Sequence, residues 1–231
     1  MGYSVAVEDI EPRHFVCWVL DLPGCFSSAH SQTDALARAP SRIDDYFAWI
    51  TGHDPSVPRV SGPFQIDLVE VFEAHPCASD PDYLVNAFFE DDRRPLSYWD
   101  VEVGLRLLDW SRQDLLNVIA SLSARQLHAP TQGQDRPTIA RVLEHVCRAE
   151  NWYLSHFDRS VERSSLPEDL LSRLDAVRAN TRRQLVTLIG QTRITASCDE
   201  RWSARKILRR TLWHERDHTQ HIAKLAADPR E

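Results

Sequence analysis

The sequence predicts two modules of different class: an α+β domain of order β-β-α-β over residues 1–75, then, past a connection at 76–96, an all-α four-helix bundle over 97–231. Three observations carry this reading. The first 75 residues hold β-rich runs bounded by turn residues, with a helical stretch between the second and the third. From Val101 onward, apolar residues recur at helical spacing through four stretches. Charge divides in the same place, with 6 basic and 16 acidic side chains in residues 1–95 against 21 and 18 in residues 96–231.

These bounds exclude some functions. At 231 residues, the chain is long enough for each module to bury a core. The acidic first module argues against phosphate contacts, so no direct nucleic-acid binding is expected. The arginines of the second half are balanced by acids and read as solvated helix surface. No apolar run approaches the roughly 18 residues of a membrane span, and MGYSVAVEDIEP lacks a basic region followed by a hydrophobic one. A cytoplasmic protein without membrane contact is therefore expected. Five cysteines, Cys17, Cys25, Cys77, Cys147 and Cys198, are odd in number and lack a CxxC spacing, which predicts reduced thiols and no disulfide framework.

In chain order, Tyr3–Glu8 and His14–Leu20 are β-rich, and Asp21-Leu22-Pro23-Gly24 supplies a turn after the second run. Ser31 and Asp34 have the spacing of a capping box. Leu36, Ile43, Tyr46, Phe47 and Ile50 continue at helical spacing, and Pro40 is expected to kink or split that helix. Phe64–Phe72 alternates and reads as the third strand. The order of a strand, DLPGCFS, AHSQTDALARA and a continuing helix resembles the HicB antitoxin-like fold, through Asp21–Cys25 and Asp34–Leu36. Those are structural signatures covering the first third of the chain. HicB antitoxins usually add a DNA-binding tail, and neither a ribbon-helix-helix nor a helix-turn-helix segment is evident here.

The connection His75–Leu96 is rich in Pro and Asp, but Tyr83, Leu84, Val85, Phe88 and Phe89 are too apolar for a free linker and are expected to pack between the modules. Four helices follow: Val101–Leu122; Thr138–His156, starting after Pro137; Pro167–Ile189, stopping at Gly190; and a last one opened by Ser203. The last carries His214, His218 and His221. At about 100° per residue, His218 lies roughly 40° from His214, and His221 roughly 20° to the other side, so the three imidazoles share one stripe with Ile207, Thr211 and Leu225. Imidazoles on an otherwise apolar stripe need partners, and a metal ion is one. The letters His214-Glu215-Arg216-Asp217-His218 also satisfy HExxH, but the extended zinc-protease pattern fails downstream, so a third ligand must come from upstream.

His145, at the border of the apolar face of the second bundle helix, is the upstream candidate. A bundle with a His in helix two and HxxxH in helix four resembles the DinB (YfiT-like) superfamily over about residues 97–228, with Thr138–Glu150 and Trp213–Ile222 matching its ligand-bearing segments. The resemblance implies that His145, His214 and His218 bind a divalent metal, zinc first, with nickel or iron as alternatives. His221 departs from the pattern, standing where Gln is more usual. Three neutral imidazoles leave coordination positions open, as in a reactive site. The resemblance also implies a thiol-dependent transferase or hydrolase acting on a small molecule or thiol, with Glu215 or Glu150 as candidate general base. The competing expectation is a non-catalytic binding or stress-response protein in which the HicB-like module recruits a partner. A homodimer is an open alternative.

Overall fold

The computed structural model describes residues 1–11, 13–130 and 138–227. They form two compact units, Met1–Arg94 with Thr192–Lys206, and Pro95–Gln191 with the chain from Ile207 onward. A contiguous boundary at residue 97 did not anticipate that residues 192–206 group with the first unit.

The first unit is built on a four-stranded sheet of β1 (Gly2–Glu11), β2 (His14–Val19), β3 (Phe26–Ala29) and β4 (Gln65–Glu73), in the order β3-β2-β1-β4. β1–β2 and β2–β3 are antiparallel, and β1–β4 is parallel across α1 (Gln32–His53). The observed order is thus β-β-β-α-β. β3 is only four residues long, and its FSSA offers little apolar alternation to read. The Asp21–Gly24 turn forms as expected, with Gly24 at φ 78°, a conformation glycine takes without strain. Ser31 caps α1, its hydroxyl accepting from the Asp34 N–H at 3.1 Å.

Pro40 does not split α1, which runs through it for 22 residues. Proline removes one backbone hydrogen bond, but burial of Ala35, Ala39, Ile43 and Tyr46 holds the helix in place. Side chains pin it to its own sheet and turn: Ser27 donates to the Ala35 carbonyl at 2.6 Å, and Tyr46 to the Pro23 carbonyl at 2.8 Å.

The rest of the first unit is two hairpins, β5 (His75–Cys77) with β6 (Asp80–Val85), and β7 (Thr195–Ser197) with β8 (Glu200–Trp202). A Cys77–Cys198 disulfide joins them across 121 residues, with the two Cα atoms 5.5 Å apart. This corrects the expectation that all five cysteines are reduced; Cys17, Cys25 and Cys147 are free and buried. A pairing made by the fold leaves no local spacing to recognise. The same hairpins bury Glu200, which accepts from Tyr83 Oη and from the Asn86 N–H at 3.0 Å and pairs with Lys206 Nζ at 2.7 Å. Lys206 also donates to the Asn86 and Arg201 carbonyls at 3.1 and 3.0 Å. A buried charge needs such partners, and they explain why residues 192–206 belong to this unit.

The second unit holds α2 (Tyr98–Ala120), α3 (Ala124–His128), α4 (Ile139–Ser155), α5 (Leu170–Thr187) and α6 (Ala204–Ala227), the last entering from the first unit. Four of these lie where helical periodicity placed them, and the five-residue α3 was not anticipated. α2 opens on a capping box between Ser97 and Asp100. Thr138 caps α4, while Pro137 lies outside the described residues. α5 starts after Asp169, whose carboxylate accepts from the Ser172 N–H at 2.9 Å, slightly later than Pro167 had suggested. Past its end, Gly190 takes φ 72°. Leu115, Ile119, Ile139, Val142, Leu143, Val146, Leu174, Val177 and Ile222 meet in one core drawn from all four long helices. Among the described residues, no helix is long and apolar enough to cross a membrane.

Candidate metal centre

α4 brings His145 and α6 brings His214 and His218 to a common point. His214 Nε2 lies 2.9 Å from His145 Nε2 and 3.2 Å from His218 Nε2. One ligand atom from each ring falls within 4.8 Å of the others. His214 is buried at 6% exposure, whereas His218 is half-buried and His145 exposed. The inner end of the cluster is closed by protein, with the Tyr153 ring edge-on to His214 at 6.0 Å between centroids.

The electrostatics keep these rings neutral. Burial, followed by His218, His145 and Arg210, holds His214 well below the ordinary histidine range. Burial, then His145 and His221, pushes His218 down to about 4. Burial and then Arg148 lower His145. A neutral imidazole carries a lone pair on one nitrogen, which is the form that ligates metals.

The nitrogen set suits a divalent ion. Two nitrogens each about 2.0–2.1 Å from one ion at a tetrahedral angle stand ~3.3 Å apart, close to the spacings seen here. His214 Nε2 takes part in both short contacts, yet a neutral ring offers only one proton or one lone pair there. An ion serves all three nitrogens at once. His218 Nδ1 is buried without a hydrogen-bond partner among the described residues, so its orientation rests on packing.

The other sequence candidates lie elsewhere. His221 is exposed, its ring centroid 6.2 Å from that of His218, and it is outside the converging group. Glu215 follows His214 directly, about 100° further round α6, and so faces away from the histidine stripe. It enters a buried quartet with Glu150, Arg112 and Arg178. Arg178 grips Glu150 through Nε at 2.8 Å and Nη2 at 3.0 Å, and reaches Glu215 at 2.9 Å. Arg112 donates from Nε to Glu215 at 2.9 Å and from Nη2 to Glu150 at 3.3 Å. Burial opposes the Glu150 charge, but Arg178 and Arg112 outweigh it and hold the carboxyl below its usual range. The same carboxylates push Arg178 upward against its burial.

Both arginines had been read as solvated surface, yet they are 6% and 5% exposed. The signal was available in the sequence. Arg112 sits between Leu108 and Leu115, and Arg178 one turn after Leu174, so each charge falls on an apolar stripe.

With this geometry in place, the family match is informative. The DinB superfamily model matches residues 107–222, half of the chain, including all three histidines. The chain belongs to the DinB superfamily. No curated protein and no solved structure matches it. The match lies outside residues 1–94, and the HicB likeness of that unit has no support from it.

Proposed function

We propose that this DinB-superfamily chain is a metal-dependent enzyme acting on a small molecule, with His145, His214 and His218 holding one divalent ion, zinc first and nickel or iron as alternatives. The observation that supports it is the convergence of three neutral imidazole nitrogens with no fourth protein ligand in their cluster among the described residues. A bound ion would supply Lewis acidity there, activating water or a thiol for hydrolysis or transfer. Buried His214 sets the inner end of the site, and exposed His145 leaves its outer side open to a small molecule.

Glu150 and Glu215 are better assigned to bracing α4 and α6 against α2 and α5 than to proton transfer. The Glu150 carboxylate, held below its usual range by Arg178 and Arg112, is a weak base at neutral pH, and Glu215 is engaged by the same two guanidinium groups. For the first unit we propose a HicB-like fold, supported by the strand–turn–helix order with its Gly24 turn and Ser31 cap. That likeness carries no activity to this chain.

The test is cobalt substitution of the purified chain. Visible absorption that changes when a small thiol is added shows an exchangeable position, as the enzyme reading requires. A cobalt spectrum indifferent to thiol, azide and pH shows a closed site and overturns it.

A further inference from the structure

A second cavity lies in the same unit, enclosed by α4, the turn at Arg163–Ser165 and the start of α5. Its volume is about 440 Å³, within the usual range of small-molecule sites. Arg148, Arg163 and Arg173 line it against a single acid, Glu168. Arg148 and Arg163 are exposed, and their side chains have no hydrogen-bond or ion-pair partner among the described residues. Arg173 is held by backbone carbonyls, Pro167 at 2.9 Å and Glu168, so its position is fixed, and it also attracts the Asp169 carboxylate. Three guanidinium groups around one cavity with one acid leave a local excess of positive charge.

The remaining lining mixes apolar side chains with the polar Asn151, Ser155 and Ser160. Trp152, Leu166 and Pro167 give the cavity an aromatic and aliphatic lining. Asn151 fixes the loop wall with a two-way clamp, accepting from the Val161 N–H at 2.8 Å and donating to its carbonyl at 2.9 Å. Cys147 also lines the cavity, but burial pushes its thiol up to about 11, so it is a neutral wall and not a nucleophile near neutral pH. On α4, the lining residues centre about a quarter-turn round from His145, so this cavity is separate from the histidine cluster.

We propose that this cavity binds an organic carboxylate with an aromatic or similarly flat apolar body, its charged end paired with Arg148 and Arg163 and its body against Trp152. The planar guanidinium matches a carboxylate through paired hydrogen bonds, and the apolar wall rewards a body that a free inorganic anion lacks.

The experiment is isothermal titration of the full chain with 2-naphthoate and with its neutral counterpart 2-naphthamide. Naphthoate is expected to bind, and naphthamide to bind at least about tenfold more weakly, as loss of a charge-assisted hydrogen bond implies. Arg148→Gln and Arg163→Gln should each weaken naphthoate by about tenfold and leave naphthamide unchanged. Both side chains are exposed, and circular dichroism checks that the variants fold. Trp152→Phe should weaken both probes alike. Failure of naphthoate to bind, equal affinity for acid and amide, or indifference to both arginine substitutions overturns the proposal.

Discussion

His214 and Glu215 are neighbours in sequence and both are buried, yet they belong to opposite kinds of polar cluster. Glu215 joins two arginines and a second glutamate, a set in which the charges cancel and guanidinium hydrogen bonds reach each carboxylate. His214 joins two other imidazoles, a set of like groups in which His218 and His145 lower the affinity of His214 for a proton and His145 lowers that of His218. The first is balanced in charge, although Glu215 Oε1 has no hydrogen-bond partner among the described residues. The second is three donors facing one point, and a buried polar set missing its natural counterpart marks where a protein holds something else. One helical residue of rotation, about 100°, separates the charge-balanced quartet from the histidine cluster on α6.

The largest expected effect comes from breaking the charge-balanced cluster. Arg178→Met removes the guanidinium that both carboxylates share and leaves Arg112 alone to compensate two buried negative charges. A loss of about 3–5 kcal/mol is expected, as for other buried pairs deprived of one partner. Urea unfolding of wild type and variant measures it. A loss under about 1 kcal/mol, the value of an exposed pair, means that water reaches the quartet.

The incomplete cluster should behave the other way, with a large functional effect and a small structural one. His214→Ala and His218→Ala should each reduce bound divalent metal from stoichiometric to background by elemental analysis, because each removes one of only three nitrogen donors. In the presence of a chelator, their melting temperatures should stay near that of metal-free wild type, since among the described residues no group outside the cluster relies on those imidazoles for a hydrogen bond. Full metal occupancy in either variant removes the ligand assignment.

Acid should separate the clusters a third way. His218 titrates near 4 in the folded chain, against an ordinary value of 6.5. Between those limits the unfolded chain binds a proton that the folded chain refuses. The stability of the metal-free protein should therefore fall as pH drops from 6.5 towards about 4, by up to ~1.4 kcal/mol per pH unit for this one group. Glu150, lowered from 4.5, adds a loss that starts only below that value. The His218→Ala variant should show a shallower decline from pH 6.5 down to about 4 and the same decline below it. Identical profiles in the two proteins would mean that the imidazole is not the group taking up the proton.

What the sequence made legible follows the reach of each interaction. The long helices and their histidines were readable because a 3.6-residue period and an HxxxH spacing are local properties of the chain. Their meeting with His145 was readable only through family resemblance, since that contact spans 69 residues. The buried arginines were missed by counting charge instead of asking which face of the helix carried it. The Cys77–Cys198 bond and the Glu200–Lys206 pair were not legible. Each joins or stabilises hairpins of three to six residues, too short to announce themselves. A fragment starting at residue 97 keeps Glu200 and Lys206 but loses Tyr83, Asn86 and Cys77, so it should be less stable than the intact chain.

The smallest effect is expected at His221, where the chain departs from the family pattern and where the open-site reading is most exposed to test. His221 follows His214 by seven residues, about 10 Å along the helix axis, while a zinc–nitrogen bond is only about 2.0–2.1 Å long. It is exposed and outside the converging nitrogens, so its influence reaches the site through its charge, as one of the groups that depress His218. His221→Gln should keep stoichiometric metal, with affinity lowered by less than the 10–100-fold typical of a lost outer-sphere hydrogen bond. Competition against a chromophoric chelator reads this directly. If the variant loses metal as completely as His218→Ala, His221 is a fourth ligand, the site is closed, and the argument for an exchangeable position falls with it.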